Sequence, residues 1–138
     1  MAALTISATG VKPTSTTTLQ TVTAGATITA GMAVYSDATD SGDYKPANAD
    51  TLASAAVKGI AMCGASDGQK LVIATGGDIT LTGTTMAVGV TYFLHTTGGG
   101  IGLLSELAAG AFPTFVGHAT TATNLKLNIA ISTIALAA

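Results

Sequence analysis

The sequence predicts an all-β fold, a small β-barrel or β-sandwich of short strands joined by glycine turns and preceded by an extended N-terminal arm. Three observations lead there. Small and β-favouring residues dominate, with 26 Ala, 25 Thr and 17 Gly in 138 positions. Apolar residues alternate with polar ones over short runs, as where Leu125, Leu127, Ile129 and Ile131 interleave with Lys126, Asn128 and Ala130, which sets one apolar face on a strand. Gly-containing turn signals break the chain at close spacing, the pattern of a barrel or sandwich rather than of helices.

Taken in order, residues 1–24 read as an arm. The stretch Pro13-Thr14-Ser15-Thr16-Thr17-Thr18 contains no core residue, and Thr favours extended backbone. Leu4 and Ile6 precede it and Leu19 and Val22 follow it, so the arm is expected to pair with a sheet edge on a neighbour. Residues 25–138 form the β-domain. Thr27-Ile28-Thr29 and Met32-Ala33-Val34-Tyr35 are short β segments. The runs 57–63 and 70–74 flank Ser66-Asp67-Gly68, where Asp-Gly signals a hairpin. Gly76-Gly77-Asp78 is expected to turn the chain into Ile79-Thr80-Leu81. Strands are expected over 88–94, with Val88, Val90, Tyr92 and Leu94 in alternation, and then over 115–119 and 125–131. Gly98-Gly99-Gly100 reads as a turn, and helix candidates are confined to 50–56 and 105–109. The expected core includes Val34, Ile60, Val72, Ile73, Val90, Tyr92, Val116, Leu127 and Ile129.

An offset of 58 residues relates two stretches of the chain. Gly31 matches Gly89, Gly42 matches Gly100, Gly59 matches Gly117 and Ala61 matches Ala119. Met32, Val34, Tyr35 and Val57 fall on Val90, Tyr92, Phe93 and Phe115. The domain is therefore open to a reading as two related β-halves.

Composition narrows the function classes. Only 9% of residues are charged and the net charge is −2, against about 25% charged in ordinary soluble domains. A monomer with so weakly charged a surface is poorly protected against association, so an oligomer or a part of a larger assembly is expected. The five lysines are scattered and there is no Arg, which disfavours direct nucleic-acid binding. No run reaches the ~18 apolar residues of a membrane helix. The opening MAALTISATG lacks the charged and apolar regions of a secretory signal, so synthesis and folding in a cytoplasm are expected.

Chemical motifs are weak. Gly64-Ala65-Ser66-Asp67-Gly68 matches the G-x-S-x-G pattern, and Asp78 and His118 follow in hydrolase order. That chemistry needs a strand-to-helix turn after Ser66, whereas Lys70-Leu71-Val72-Ile73 reads as another strand. Asp37, Asp40 and Asp43 cluster, but not at EF-hand spacing. Turn residues in an exposed loop account for them, and cation binding stays open at this stage. Cys63 is alone, and His95 and His118 are the only histidines, so no zinc pattern exists. Gly98-Gly99-Gly100-Ile101-Gly102 lacks the order of a phosphate loop. No catalytic residue, cofactor or metal site is expected.

The stretches Ala26-Thr27-Ile28-Thr29-Ala30-Gly31-Met32-Ala33-Val34-Tyr35, Lys58-Gly59-Ile60-Ala61 and Asp67-Gly68-Gln69-Lys70-Leu71-Val72-Ile73-Ala74-Thr75-Gly76-Gly77 resemble small head decoration, or cement, proteins of tailed bacteriophages. Gly117-His118-Ala119-Thr120 and Asn124-Leu125-Lys126-Leu127 are similar to them as well. The resemblance spans roughly 24–131 and rests on turn and strand patterns. It implies a non-enzymatic β-barrel or β-sandwich, commonly a homotrimer, on the outer surface of a virion, with the major capsid protein as partner. An arm that clasps capsid subunits fits this, which makes Leu4, Ile6, Val11, Leu19 and Val22 the candidates for capsid contact. A tail, fibre or spike component and a small glycan-binding β-module are the alternatives. The second would have to work without Trp and with only Tyr35, Tyr44 and Tyr92 as tyrosine platforms.

Overall fold

The computed structural model describes residues 11–49, 51, 53–81, 86, 88–95, 100–102 and 110–131. They are nearly all β. The strands are β1 (Lys12–Pro13), β2 (Thr18–Thr23), β3 (Ala33–Asp37), β4 (Asp43–Pro46), β5 (Val57–Ala61), β6 (Lys70–Thr80), β7 (Thr91–Leu94), β8 (Ile101–Gly102), β9 (Phe115–Ala119) and β10 (Asn124–Ala130). A 3₁₀ turn, Ala38–Asp40, links β3 to β4. The main path of the curled sheet runs β4-β3-β5-β6-β10-β9-β7-β8, with β1 and β2 added along β6.

β6 is the axis of the molecule. Its first part lies between β2, paired from Lys70 to Gly76, and β5, paired at Ile73 and Ala74. Its last part lies between β10, paired from Gly77 to Thr80, and β1, paired at Ile79 and Thr80. The expected turn at Gly76-Gly77-Asp78 is therefore a kink inside one long strand. Gly77 has φ +79°, and a Cβ there would overlap the Thr16 carbonyl. Only glycine accepts both conditions. The Thr-rich run holds the kink from outside. The Thr14 hydroxyl donates to the Asp78 carbonyl at 3.0 Å, the Thr17 hydroxyl donates to the same oxygen, and the Asp78 amide donates to Thr16 Oγ1 at 3.2 Å. The extended conformation expected of the arm is present in β1 and β2, and the partner of both is β6 of their own chain.

Two cores result. The smaller one contains Ala24, Ile28, Val34, Ala61, Ala65, Leu71 and Ile73. It lies where the sheet curls until β2 meets β4: Ala24 bridges to Tyr44, and the Gly25 amide donates to the Tyr44 carbonyl at 2.7 Å. The larger core collects Ile60, Ile79, Leu81, Tyr92, Leu94, Ile101, Val116 and Leu125 with many alanines. Full burial of each large aliphatic side chain stabilises by about 1.5–3 kcal/mol. Of the expected core, Val34, Ile60, Ile73, Tyr92, Val116 and Leu127 are buried. Val90 and Ile129 pack against the main core as half-buried residues, and Val72 is half-buried.

Residues 51 and 53–56 of the first helix candidate form a turn. The Ala55 amide donates to the Thr51 carbonyl at 3.0 Å and the Ser54 hydroxyl bonds Asn48 Oδ1 at 2.9 Å. Ser and Thr hydroxyls compete here with a helical ladder. The second candidate, 105–109, lies outside the described residues.

The offset of 58 is present in the pairing. β3–β5 pairs Ala33 with Ile60, Val34 with Gly59 and Tyr35 with Val57, with a bulge between Val34 and Tyr35. β7–β9 pairs Thr91 with His118, Tyr92 with Gly117 and Phe93 with Phe115, with a bulge between Tyr92 and Phe93. Each of these residues is its counterpart plus 58. Flanking turns match too. Gly31 and Gly89 have φ +94° and +82°, and their amides donate to Ala61 and Ala119 carbonyls, both at 2.8 Å. The order β4-β3-β5-β6 is thus repeated as β8-β7-β9-β10, and the two units join through the antiparallel β6–β10 pair.

Candidate functional surfaces

The five candidate contact residues do not form one surface. Leu4 and Ile6 lie outside the described residues. Val11 is 7% exposed and belongs to the main core, so its side chain is not presented to a partner. Val22 is half-buried against the small core. Of the three described candidates, Leu19 is open, at 48% exposure, on strand β2. A lone Val between Gly10 and Lys12-Pro13 carries no period in the sequence, so its burial had no signal there.

The acidic loop is an ion-pair clasp. Lys45, on β4, places Nζ 2.8 Å from Asp37 Oδ2 and 3.3 Å from Asp40 Oδ2. The Thr39 amide and hydroxyl donate to Asp37 Oδ1 at 2.9 and 2.6 Å. The Lys45 ammonium, then the Thr39 donors, hold the Asp37 carboxyl at about 2, below its usual 3.8. Asp37 and then Asp40 raise Lys45 to about 12. Asp37 and Asp40 thus already share a resident cation, and among the described residues no group of acids, His and Cys is arranged to hold a metal.

The G-x-S-x-G segment is a hairpin connection. The Gln69 amide donates to the Ser66 carbonyl at 2.9 Å, and Gly68 has φ +87°. Asp67 has no positive φ, so the turn follows the type II pattern instead of the two-residue type I′ form. Ser66 precedes β6, whereas Asp78 lies near its far end. Asp78 and His118 are separated by Lys126, which pairs with both. Neighbouring strands lie about 4.8 Å apart, so two strand spacings divide that pair. Cys63 is half-buried against the small core, and its Sγ accepts from the Val72 amide at 3.5 Å. Of the glycine-rich stretch 98–102, Ile101 and Gly102 form β8 and are buried. His95 is buried, and its amide donates to the Gly100 carbonyl at 2.9 Å.

Among the described residues two surfaces remain. One is the polar cross-strand row Asp78, Lys126, His118, Thr91, which follows from consecutive register pairs of β6, β10, β9 and β7. Strand periodicity alone could not find it, because the order of strands is needed. The other is β2, where Thr18 to Thr21 are all exposed. Among the described residues no helix is long and apolar enough to cross a membrane. No protein-family model matches the chain, and no curated protein is similar to it.

Proposed function

We propose that the protein is a structural component of a phage virion that binds the outer surface of the capsid across subunit junctions and stabilises the expanded shell. The observation that carries the reading is the placement of the segments with the decoration-protein pattern. Residues 26–35, 58–61 and 67–77 contribute β3, β5 and β6, which are adjacent strands, and 117–120 and 124–127 contribute to β9 and β10, which are adjacent as well. The resemblance therefore falls on one continuous framework. Low charge supports the same reading, since few charged groups would be stripped of water at a contact. Many copies on one shell add modest free energies through mass action.

The test is a pelleting assay with mature, undecorated heads. Bound protein per capsid subunit is expected to saturate at a fixed stoichiometry. A well-folded protein that fails to bind heads would overturn the reading and favour a tail or fibre role. The arm needs a careful truncation. Removing residues 1–24 would take Val11 from the core and β2 from β6. Removing 1–10 spares both. The shorter deletion is expected to leave the fold intact and weaken head binding, and unchanged binding would remove the arm from the proposal.

A further inference from the structure

The polar row Asp78, Lys126, His118, Thr91 contains one atom that its surroundings do not satisfy. Asp78 Oδ1 is buried and accepts no hydrogen bond among the described residues. Buried polar atoms are as a rule paired, and a charged one left alone is unfavourable. Directly opposite Asp78 on β10 is Lys126. Side chains so placed start from Cβ atoms about 4.5–5.5 Å apart, a gap that a lysine spans. Yet Lys126 is exposed, and the ion pairs among the described residues are those of Lys45. The other neighbour of Lys126 is His118, directly opposite it on β9 and half-buried. Histidine is the side chain that ordinarily changes charge between pH 5 and 8. Few other charges face this group. β7 sets the uncharged Thr91 against His118, and its Tyr92 turns into the main core. Lys70 lies at the far end of β6. Lys12 on β1 opposes Thr80, one diagonal step from Asp78.

We propose that His118 is a pH-sensitive control on an ion pair between Lys126 and Asp78. With His118 neutral, Lys126 stays in water, as the structure has it. When His118 takes up a proton, two like charges stand directly opposite one another, which a strand pair resists. The ammonium of Lys126 then turns away from β9 toward the acid on its other side. Its Nζ donates to Asp78 Oδ1, and the buried oxygen gains the partner it lacks. The place of this pair gives it a structural consequence. β6 and β10 are the strands through which the two units join, and Asp78 follows Gly77 at the kink of β6. Protonation of one side chain on β9 thus adds a tie across the seam between the halves. The tie is measured on the isolated protein, so it and the capsid reading can each fail alone.

The test follows the Asp78 carboxyl carbon and the Lys126 ammonium nitrogen by NMR on the full chain, from pH 8 to pH 5. In the wild type both signals are expected to show a step that coincides with titration of the His118 ring. His118→Gln keeps a polar side chain but cannot take the proton, and it is expected to remove the step from both signals. Lys126→Gln is expected to remove the step at Asp78 while the His118 ring still titrates. Circular dichroism checks that each variant is folded, and the wild-type result stands without them. A wild type in which Asp78 and Lys126 do not respond as His118 titrates would overturn the proposal. So would a step at Asp78 that persists in His118→Gln, because the carboxyl would then answer to solvent directly. A step that survives Lys126→Gln would overturn it as well, since the partner of Asp78 would then be another group.

Discussion

The two halves of the molecule share a backbone unit and use its faces in opposite ways. In the first half, Ala33 and Ile60 point into the main core, and Val34 and Ala61 into the small core. In the second half, the residues 58 positions later exchange these roles. Thr91 is exposed and His118 half-buried, while Tyr92 and Ala119 enter the main core. The first unit is therefore buried on both faces, and the second on one. The difference lies in what surrounds each unit. β2 closes the first against β4 and gives it a core of its own. The second spends its apolar face on the first and leaves Thr91, His118 and Lys126 toward water. Repetition of the register has survived this change of environment because it depends on backbone features: the bulges, the glycines and the turn before β3 and β7.

The sharpest way to break the comparison is at the paired glycines Gly59 and Gly117. Each opposes the second residue of the neighbouring strand, Val34 of β3 or Tyr92 of β7. A Cβ on Gly59 would lie 2.6 Å from the Ala74 carbonyl oxygen, and one on Gly117 would overlap the Lys126 carbonyl. These neighbours are backbone, so relief requires strands to move apart. Gly117→Ala is expected to destabilise by about 3 kcal/mol and Gly59→Ala by about 2 kcal/mol. Chemical denaturation of the two variants checks the order. Equal, small losses would mean that the glycines match by composition alone.

The same contrast explains what could be read in the sequence. β3, β5, β9 and β10 were legible because Val34, Ile60, Val116 and Leu127 sit in short β-favouring runs bounded by Gly or Asn. The final apolar alternation was legible but its burial fades: Leu125 and Leu127 are buried, whereas Ile131 is 44% exposed. β4 was hidden, since Asp43-Tyr44-Lys45-Pro46 has the composition of a loop. An edge strand tolerates charge and proline, and only the tertiary position reveals it as one. The unity of β6 was hidden by Gly76-Gly77, which locally reads as a turn. Its continuity comes from partners on both sides of the kink. Of the contact candidates, exposure of Leu19 fits its place beside a Thr run, but the burial of Val11 depends on β1 lying along β6.

Gly31 and Gly89 form the turns that open the two units. Both have positive φ, where an L side chain is strained. Gly31 is buried and Gly89 exposed, with nothing within 4 Å of a Cβ at the latter. Gly89→Ala therefore isolates the backbone cost, expected at about 1 kcal/mol. Gly31→Ala carries that same cost together with any crowding in its buried site, so its loss of stability is expected to be at least as large. A smaller loss at Gly31 would show that the two turns are not equivalent. Thermal unfolding resolves a difference of this size.

The smallest expected effect separates the halves by pH. The Asp37–Lys45–Asp40 clasp belongs to the first half alone, since positions 95, 98 and 103 in the second are His, Gly and Leu. Asp37 is held at about 2, below its ordinary 3.8. A carboxyl lowered on folding contributes stability that is present above its unfolded value and lost as pH falls through the folded one. The contribution of Asp37 is thus complete above about pH 4 and fades between there and about 2. Lys45, raised from 10.5 to about 12, contributes below 10.5 and loses its contribution as pH rises through 12. Between these limits the clasp is constant, and because its groups are solvent-accessible its worth is modest. Hydrogen exchange at pH 5 and pH 3 is the suitable probe. After correction for the intrinsic rate, protection of the β3 and β4 amides should fall relative to that of β7 and β8. Asp37→Asn should abolish that relative change. Parallel loss in both halves would instead trace acid sensitivity to a group shared by the whole fold, and the clasp would then be a surface ornament with no local hold on β4.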